Sequence, residues 1–151
     1  MREYHYVVDE DGRIVHDGTE VVDVATLRFF LRAMTRTPDG RWLVVCQGEH
    51  NGFEARETPF VVQRLRVDSA GDRPRAVELH LAGDIREPLD PATLESGAGR
   101  LYCRVRGGAF RARFARLALQ QLAPLLTEDH GAPALVIDGR CHRIRDLVPA
   151  R

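Results

Sequence analysis

Five Asp-Gly or Asn-Gly dipeptides constrain this chain more than any other feature of its sequence. Glycine tolerates the positive φ angles that two-residue hairpin turns require, and Asp or Asn tolerates them better than most residues. Most of these dipeptides are flanked by alternating or β-branched apolar residues. The pattern predicts short antiparallel strands joined by tight turns at Asp11-Gly12, Asp17-Gly18, Asp39-Gly40, Asn51-Gly52 and Asp138-Gly139.

Length and composition indicate an ordinary globular protein. The chain has 151 residues, of which 44% are hydrophobic and 29% are charged, and a chain of this size can fold without disulfides or structural metals. No apolar run reaches the roughly 18 residues of a membrane span, and the first residues resemble a strand rather than a signal peptide. We therefore expect a cytoplasmic location, no membrane contact, and free thiols at Cys46, Cys103 and Cys141.

Charge is balanced overall but distributed unevenly along the chain. All 22 basic residues are arginine, 22 residues are acidic, and the formal net charge is zero. Residues 1–99 carry 12 arginines against 18 acidic residues, whereas residues 100–151 carry 10 against 4. The zero net charge argues against a nucleic-acid partner, while the opposite charges of the two parts are compatible with a protein partner or a homo-oligomer.

Two segments have the apolar spacing of amphipathic helices. Asp23 is a suitable N-cap for the first helix, whose apolar stripe is formed by residues 27, 30, 31 and 34. The second helix is predicted over residues 110–122, ahead of Pro124. Together with the strands, these segments predict an α+β fold in which an antiparallel sheet packs with two main helices.

The order strand, helix, strand, turn, strand occurs twice, over residues 13–56 and again over residues 100–144. Either two copies of a strand–helix–strand–strand motif or a coincidence explains the recurrence, because the two stretches share almost no residue identity. We expect a single compact domain over residues 1–151, with two pseudo-repeated subdomains, 1–98 and 99–151, as the alternative.

Several short motifs resemble those of an uncharacterised family, a domain of unknown function found in bacteria and as a small mitochondrial protein of eukaryotes. The matching stretches are Tyr4-His5-Tyr6, Asp11-Gly12-Arg13, residues 27–32, Cys46-Gln47-Gly48-Glu49, Glu57-Thr58-Pro59-Phe60-Val61, Pro88-Leu89-Asp90-Pro91 and Gly99-Arg100-Leu101-Tyr102. This resemblance implies no reaction and no functional residue.

The chain is also similar to a second bacterial family of unknown function, which has repeated strand–helix–strand motifs and a suggested role in signal transduction. The matching pieces are His16-Asp17-Gly18, residues 27–32, residues 57–61, Val105-Arg106-Gly107-Gly108 and Arg111-Ala112-Arg113. The similarity implies the repeated fold and a signalling role.

An arginine-rich junction is the first candidate site. Arg104 and Arg106 share one face of a predicted strand, and Gly107-Gly108 then lead into the second predicted helix, which carries Arg111. Guanidinium groups and the free N–H groups of a helix N-terminus both bind anions. These residues predict a site for a phosphorylated or carboxylate-bearing small molecule; solvated arginines around a plain strand-to-helix bend are the alternative.

A thiol, an imidazole and two carboxylates within a dozen residues form the second candidate site. Cys46, Glu49, His50 and Glu57 are residue types that bind divalent metals or transfer protons. However, residues 48–52 also have the composition of an exposed hairpin turn, and no established catalytic motif is present.

The sequence therefore favours a non-enzymatic cytosolic module of unknown function. We expect it to bind a small anionic ligand or a protein partner, with a role in signalling, and to have no catalytic residue, metal or cofactor. The alternative is a metal-assisted or acid–base enzyme that uses Glu49, His50 and Glu57.

Overall fold

The chain folds into four β-sheets and two short helices. The structure, a computed structural model, describes residues 3–147. Residues 1–2 and 148–151 of the predicted domain lie outside the described residues. Strands account for 52% of the described residues, and helices, including the 3₁₀ turns, account for 18%. The prediction of an α+β fold with two main helices is therefore wrong, and the protein is mostly β.

The helices are α1 (Val24–Ala33) and α2 (Arg116–Leu122), and three 3₁₀ turns cover Ala82–Asp84, Pro91–Thr93 and Ala123–Leu125. The strands are β1 (Glu3–Val8), β2 (Ile14–His16), β3 (Thr19–Glu20), β4 (Thr35–Arg36), β5 (Trp42–Cys46), β6 (Glu49–Glu54), β7 (Val61–Val62), β8 (Arg64–Ala70), β9 (Arg73–Leu81), β10 (Ile85–Pro88), β11 (Glu95–Gly97), β12 (Arg100–Val105), β13 (Phe110–Phe114), β14 (Leu126–Asp129), β15 (Ala132–Ile137), β16 (Arg140–Arg143) and β17 (Arg145–Asp146).

The four sheets mix local hairpins with pairings between distant segments. The strand orders are β3-β2-β1-β6-β5-β4, β10-β9-β8, β17-β11-β12-β13-β7 and β14-β15-β16. Neighbours close in sequence pair antiparallel, whereas β1 with β6, β7 with β13, and β11 with β17 pair parallel. Parallel pairs need a long crossover connection, so no local turn signal announces them.

The Asp-Gly dipeptides mark turns as predicted. Asp17 and Gly18 have φ angles of 50° and 79°, and Asp138 and Gly139 have φ angles of 51° and 75°, as a two-residue hairpin turn requires. The prediction of a turn at Asn51-Gly52 is wrong, because these residues lie within β6.

The hairpin that contains β6 turns earlier, at Gln47-Gly48, whose φ angles are 51° and 78°. Asn51 is buried within the sheet, and its Nδ2 donates a hydrogen bond to Val44 O at 3.1 Å. The side-chain amide of Asn51 therefore links β6 to β5 within the sheet and does not stabilise a turn.

The first predicted helix is confirmed as α1. Asp23 is its N-cap, and its Oδ2 accepts hydrogen bonds from the Thr26 hydroxyl and from Thr26 N at 3.0 Å. These hydrogen bonds hold the pKa of Asp23 below its usual value. The predicted stripe faces inward, with Phe30, Leu31 and Met34 buried.

The second predicted helix is largely wrong. Residues 110–114 form strand β13, and α2 covers only Arg116–Leu122. Phe110 and Phe114 have helical spacing, but Arg111 and Arg113 alternate with apolar residues in a period of two. Pairing with β12 and β7 selects the strand.

One hydrophobic cluster joins the sheets and both helices. It includes Ile14, Leu79, Cys103, Leu122 and Leu135, each 1% exposed or less. Strands on both sides of residue 98 pair within one sheet, as β11 does with β12. The alternative division into subdomains 1–98 and 99–151 stays a prediction. Over residues 3–147, no helix has both the length and the apolar character that a membrane crossing requires.

Candidate functional site

The β12–β13 hairpin presents arginines on one face of the five-stranded sheet. In its register Tyr102 is opposite Arg113 and Arg104 is opposite Arg111. Directly opposed residues share a sheet face, and alternate residues along a strand do so as well. The other face carries Cys103 and packs into the core. The polar face therefore gathers Arg100, Tyr102, Arg104, Arg111 and Arg113.

A cleft of about 320 Å³ opens where this polar face meets β4, β5 and the segment before β7. We call it the arginine cleft. Three of its lining residues are cationic and one, Glu57, is a carboxylate. The residues that line it are Arg36, Trp42, Glu57, Thr58, Arg104, Ala109, Phe110 and Arg111.

The three cleft arginines keep hydrogen-bond donors free. Within residues 3–147, the guanidinium groups of Arg36 and Arg104 form no ion pair. Arg111 Nη2 lies 4.0 Å from Glu95 Oε1, beyond hydrogen-bond distance, and the buried Arg111 Nε has no acceptor among the described residues. A buried N–H without an acceptor costs about 1–3 kcal/mol, so Arg111 carries an unsatisfied donor in this structure.

Glu57 is already neutralised by neighbouring groups. Its Oε1 lies 3.0 Å from Arg100 Nη1, and its Oε2 accepts a hydrogen bond from the Tyr102 hydroxyl. Burial and this hydrogen bond to Glu57 raise the pKa of Tyr102 to about 12, so the phenol remains a donor at neutral pH. The carboxylate of Glu57 therefore cancels little of the positive charge of the cleft arginines.

Next to the cleft, a second ion-pair group fastens the first hairpin to the five-stranded sheet. Arg113 is 6% exposed, and its Nη2 donates to Glu10 O at 2.9 Å. The Glu10 side chain accepts from Arg56 Nη1 at 2.9 Å and lies 3.4 Å from Arg113 Nη1. The Arg56 hydrogen bond lowers the pKa of Glu10. Arg56 and Arg113 therefore stabilise the fold, whereas Arg36, Arg104 and Arg111 line the cleft.

Arg106, a predicted ligand-binding residue, lies outside the arginine cleft. Its Nη1 donates to Met34 O at 2.7 Å and to Leu31 O at 3.3 Å, at the C-terminal end of α1. The guanidinium also lies 4.6 Å from the centroid of the Phe110 ring. A cation is favourable at a helix C-terminus, so Arg106 stabilises α1 in this structure.

Gly107 and Gly108 do not begin a helix. Their φ angles are 67° and 90°, and they form the turn between β12 and β13. Because α2 begins at Arg116, the predicted helix N-terminus is absent from this junction. Of the five predicted ligand-binding residues, Arg104 and Arg111 line the arginine cleft.

The four residues of the second candidate site are not brought together. Cys46 and Glu49 are opposed at the end of the β5–β6 hairpin, and His50 is opposite Val45. Glu57 lines the arginine cleft, and the other three do not. Within residues 3–147, no group of three or more His, Cys, Asp or Glu side chains is arranged to hold a metal ion.

A larger cleft of about 440 Å³ lies between β2 and the Ala82–Asp84 turn. Its two arginines share it with two carboxylates, Glu20 and Asp84. Arg13 lies 3.6 Å from Asp11 Oδ2, and Arg64 Nε donates to His80 Nδ1 at 3.3 Å. The arginine cleft is therefore the better candidate for an anion.

Sequence reasoning missed Arg36, Trp42 and Thr58. Arg36 follows the end of α1 and belongs to β4, and Thr58 Oγ1 donates to Arg111 O at 2.6 Å. No local motif connects these residues to β12 and β13. The available signal was composition, since Trp42 is the one tryptophan of the chain and aromatic residues beside arginines are common in ligand sites.

Two solved structures resemble the fold of this chain. A DUF1285 family protein from Silicibacter pomeroyi DSS-3 superposes with a TM-score of 0.68 at 18% identity, over 95% of this chain and 82% of that one. A DUF1285 family protein from Shewanella baltica OS155 superposes with a TM-score of 0.58 at 9% identity. This match covers 79% of this chain and 90% of that one. The chain shares its fold with these DUF1285 proteins. No family model and no curated protein matches it.

These structural neighbours are consistent with the resemblance to an uncharacterised domain family that the sequence shows. At 9% and 18% identity, these DUF1285 structures establish the fold alone.

Proposed function

We propose that the chain binds a small anionic ligand, carrying a phosphate or a carboxylate, in the arginine cleft. One observation carries the proposal: Arg36, Arg104 and Arg111 line the same cleft. A planar guanidinium matches phosphate and carboxylate oxygens with paired N–H donors. A non-enzymatic binding module is the function that this geometry supports best.

Local charge supports an anion rather than a neutral ligand. Glu57 is the one carboxylate that lines the cleft within the described residues, and Arg100 lies 3.0 Å from it. The cleft volume of about 320 Å³ is at the small end of the range of small-molecule sites, roughly 300–1,000 Å³. These features favour a compact ligand with one anionic group.

A role in signalling, which the second sequence resemblance implies, is the setting that we propose for this binding. A protein partner, self-association and a cytoplasmic location stay predictions. No observation supports the enzyme alternative built on Glu49, His50 and Glu57.

Binding can be tested with inorganic phosphate, acetate and ribose 5-phosphate as probes. Trp42 is the one tryptophan in the chain and lines the cleft, so its fluorescence and calorimetry report occupancy. We expect saturable binding of at least one probe. Arg104→Gln or Arg111→Gln should weaken it roughly tenfold or more, since a hydrogen bond to a charged group contributes about 1.5–3 kcal/mol.

Arg140→Gln is the matched control, because Arg140 is exposed on β16, outside the cleft. It should leave the affinity unchanged. The proposal is contradicted if no phosphate- or carboxylate-bearing probe binds saturably, or if Arg140→Gln weakens binding as much as Arg104→Gln does.

A further inference from the structure

Aromatic rings extend from the hydrophobic core to the arginine cleft. The Phe60 and Phe110 rings are stacked with centroids 5.0 Å apart. The Trp42 ring lies 5.8 Å from Phe110 and 6.2 Å from Phe60. Phe60 is 1% exposed, whereas Trp42 is half-buried and lines the cleft. Phe110 also lines the cleft, but the Arg106 guanidinium, held by Met34 O and Leu31 O, lies 4.6 Å from its ring centroid and covers it. Trp42, which packs against Phe60 and Phe110, is therefore the ring on which a ligand in the cleft can stack.

Arg36 covers the Trp42 ring with its guanidinium 5.0 Å from the ring centroid. Arg36 is exposed and belongs to the two-residue strand β4 at the edge of its sheet. Within residues 3–147, its side chain makes no hydrogen bond or ion pair. An exposed cation–π contact contributes only about 0.5–1 kcal/mol, so a planar ring can separate Arg36 from Trp42 at little cost and stack on both.

We infer that the ligand of the arginine cleft is an aromatic anion: a planar ring joined to a phosphate or a carboxylate. The inference rests on the proposed function and adds the ring to it. The ring stacks on Trp42 beneath Arg36, and the anionic group binds Arg104 and Arg111, which face each other across β12 and β13. Every nucleobase and benzenoid ring offers such a face.

Matched pairs of probes separate the ring from the anionic group. Adenosine 5′-monophosphate is compared with ribose 5-phosphate, and benzoate is compared with acetate, by calorimetry. In at least one pair we expect the ring to improve affinity about tenfold, as stacking of one base on an aromatic side chain does. The pair that shows the improvement identifies phosphate or carboxylate as the anionic group.

Variants assign the improvement to Trp42. Trp42→Leu should remove the tenfold difference between the two members of a pair, and Trp42→Phe should restore most of it. Arg104→Gln should weaken both members of a pair equally. Because Trp42→Leu could disturb the fold, Arg36→Ala at the exposed side of the stack is a second test and should reduce the ring effect about threefold.

The outcomes distinguish the two proposals. Equal affinity within both pairs, with binding still dependent on Arg104, overturns the aromatic ligand and leaves the anion site in place. A ring effect that persists in both Trp42→Leu and Arg36→Ala also overturns it, since the ring would then bind elsewhere. Absence of binding by all four probes overturns the proposed function and this inference with it.

Discussion

Arg104 and Arg106 stand two residues apart in the sequence and have different roles in the structure. Arg104 ends in the arginine cleft, whereas Arg106 donates hydrogen bonds to the last carbonyls of α1. The difference comes from the backbone, because Arg106 leaves β12 with a φ of 52° and begins the turn. Residue type alone therefore does not assign a function to an arginine in this protein.

Substitution should separate these two roles. Arg106→Met should lower the free energy of unfolding by about 2 kcal/mol, because two charged hydrogen bonds at a helix C-terminus are lost. Arg104→Gln should change it by less than about 0.5 kcal/mol while weakening anion binding. Urea denaturation and probe titration of both variants check this. Equal destabilisation by the two substitutions would contradict the assignment.

Tyr102 makes stability depend on pH in the alkaline range. Its pKa is about 12 in the folded protein against a usual value of 10, so the folded state holds the phenol proton more tightly than the unfolded state. The resulting stabilisation is complete below pH 10 and is lost as the pH rises from 10 to 12. We expect the free energy of unfolding to fall more between pH 9 and pH 11 in the wild type than in Tyr102→Phe, as urea denaturation at the two pH values would show. Parallel losses would disprove the role of Tyr102.

At the scale of elements, α1 is held against the Ala82–Asp84 turn at a point where only glycine fits. Gly83 has a φ of 72°, and an added Cβ would lie 2.5 Å from Arg28 N and 2.8 Å from Arg28 Cα. The same glycine accepts a hydrogen bond on its carbonyl from Arg28 Nε at 3.1 Å. Backbone contact between turn and helix therefore fixes the position of α1.

Gly83→Ala should destabilise the protein by about 3 kcal/mol or more, because left-handed backbone strain and a clash with helix backbone add together. Gly71→Ala is the matched control, since Gly71 has a φ of 64° and nothing within 4 Å of an added Cβ. The free energy of unfolding of the Gly71→Ala control should fall by only about 1–2 kcal/mol. Thermal or urea unfolding measures both, and similar losses would show that the Arg28 contact is unimportant.

Elements defined by local chemistry could be predicted from the sequence. Examples are α1 with its Asp23 cap and the hairpin at Asp138-Gly139. Elements that depend on remote partners could not. Residues 110–114 form strand β13 with the distant β7 as one of its partners, and residues 145–146 form strand β17 because the distant β11 pairs with them. The cleft was missed in part for the same reason, since Arg36 and Trp42 reach Arg104 only through tertiary packing.

At the scale of the whole molecule, the buried thiol of Cys103 offers a probe of global unfolding. Cys103 is 1% exposed, and burial raises its pKa to about 12, so at neutral pH it is neither accessible nor a thiolate. Cys141 is exposed and Cys46 is half-buried. We expect a thiol-specific reagent to modify Cys141 readily and Cys103 only on unfolding, as mass spectrometry of labelled peptides would show. Rapid labelling of Cys103 in native protein would contradict the burial.

The shared core predicts that both ends of the chain unfold together. Trp42 lies in the six-stranded sheet and Cys103 in the five-stranded sheet, on opposite sides of residue 98, and one hydrophobic cluster joins the two sheets. A cooperative two-state transition should therefore give one midpoint for Trp42 fluorescence and for Cys103 labelling along a urea series. Using Cys46→Ser/Cys141→Ser protein confines the labelling to Cys103. Two separate midpoints would instead support independent units at residues 1–98 and 99–151.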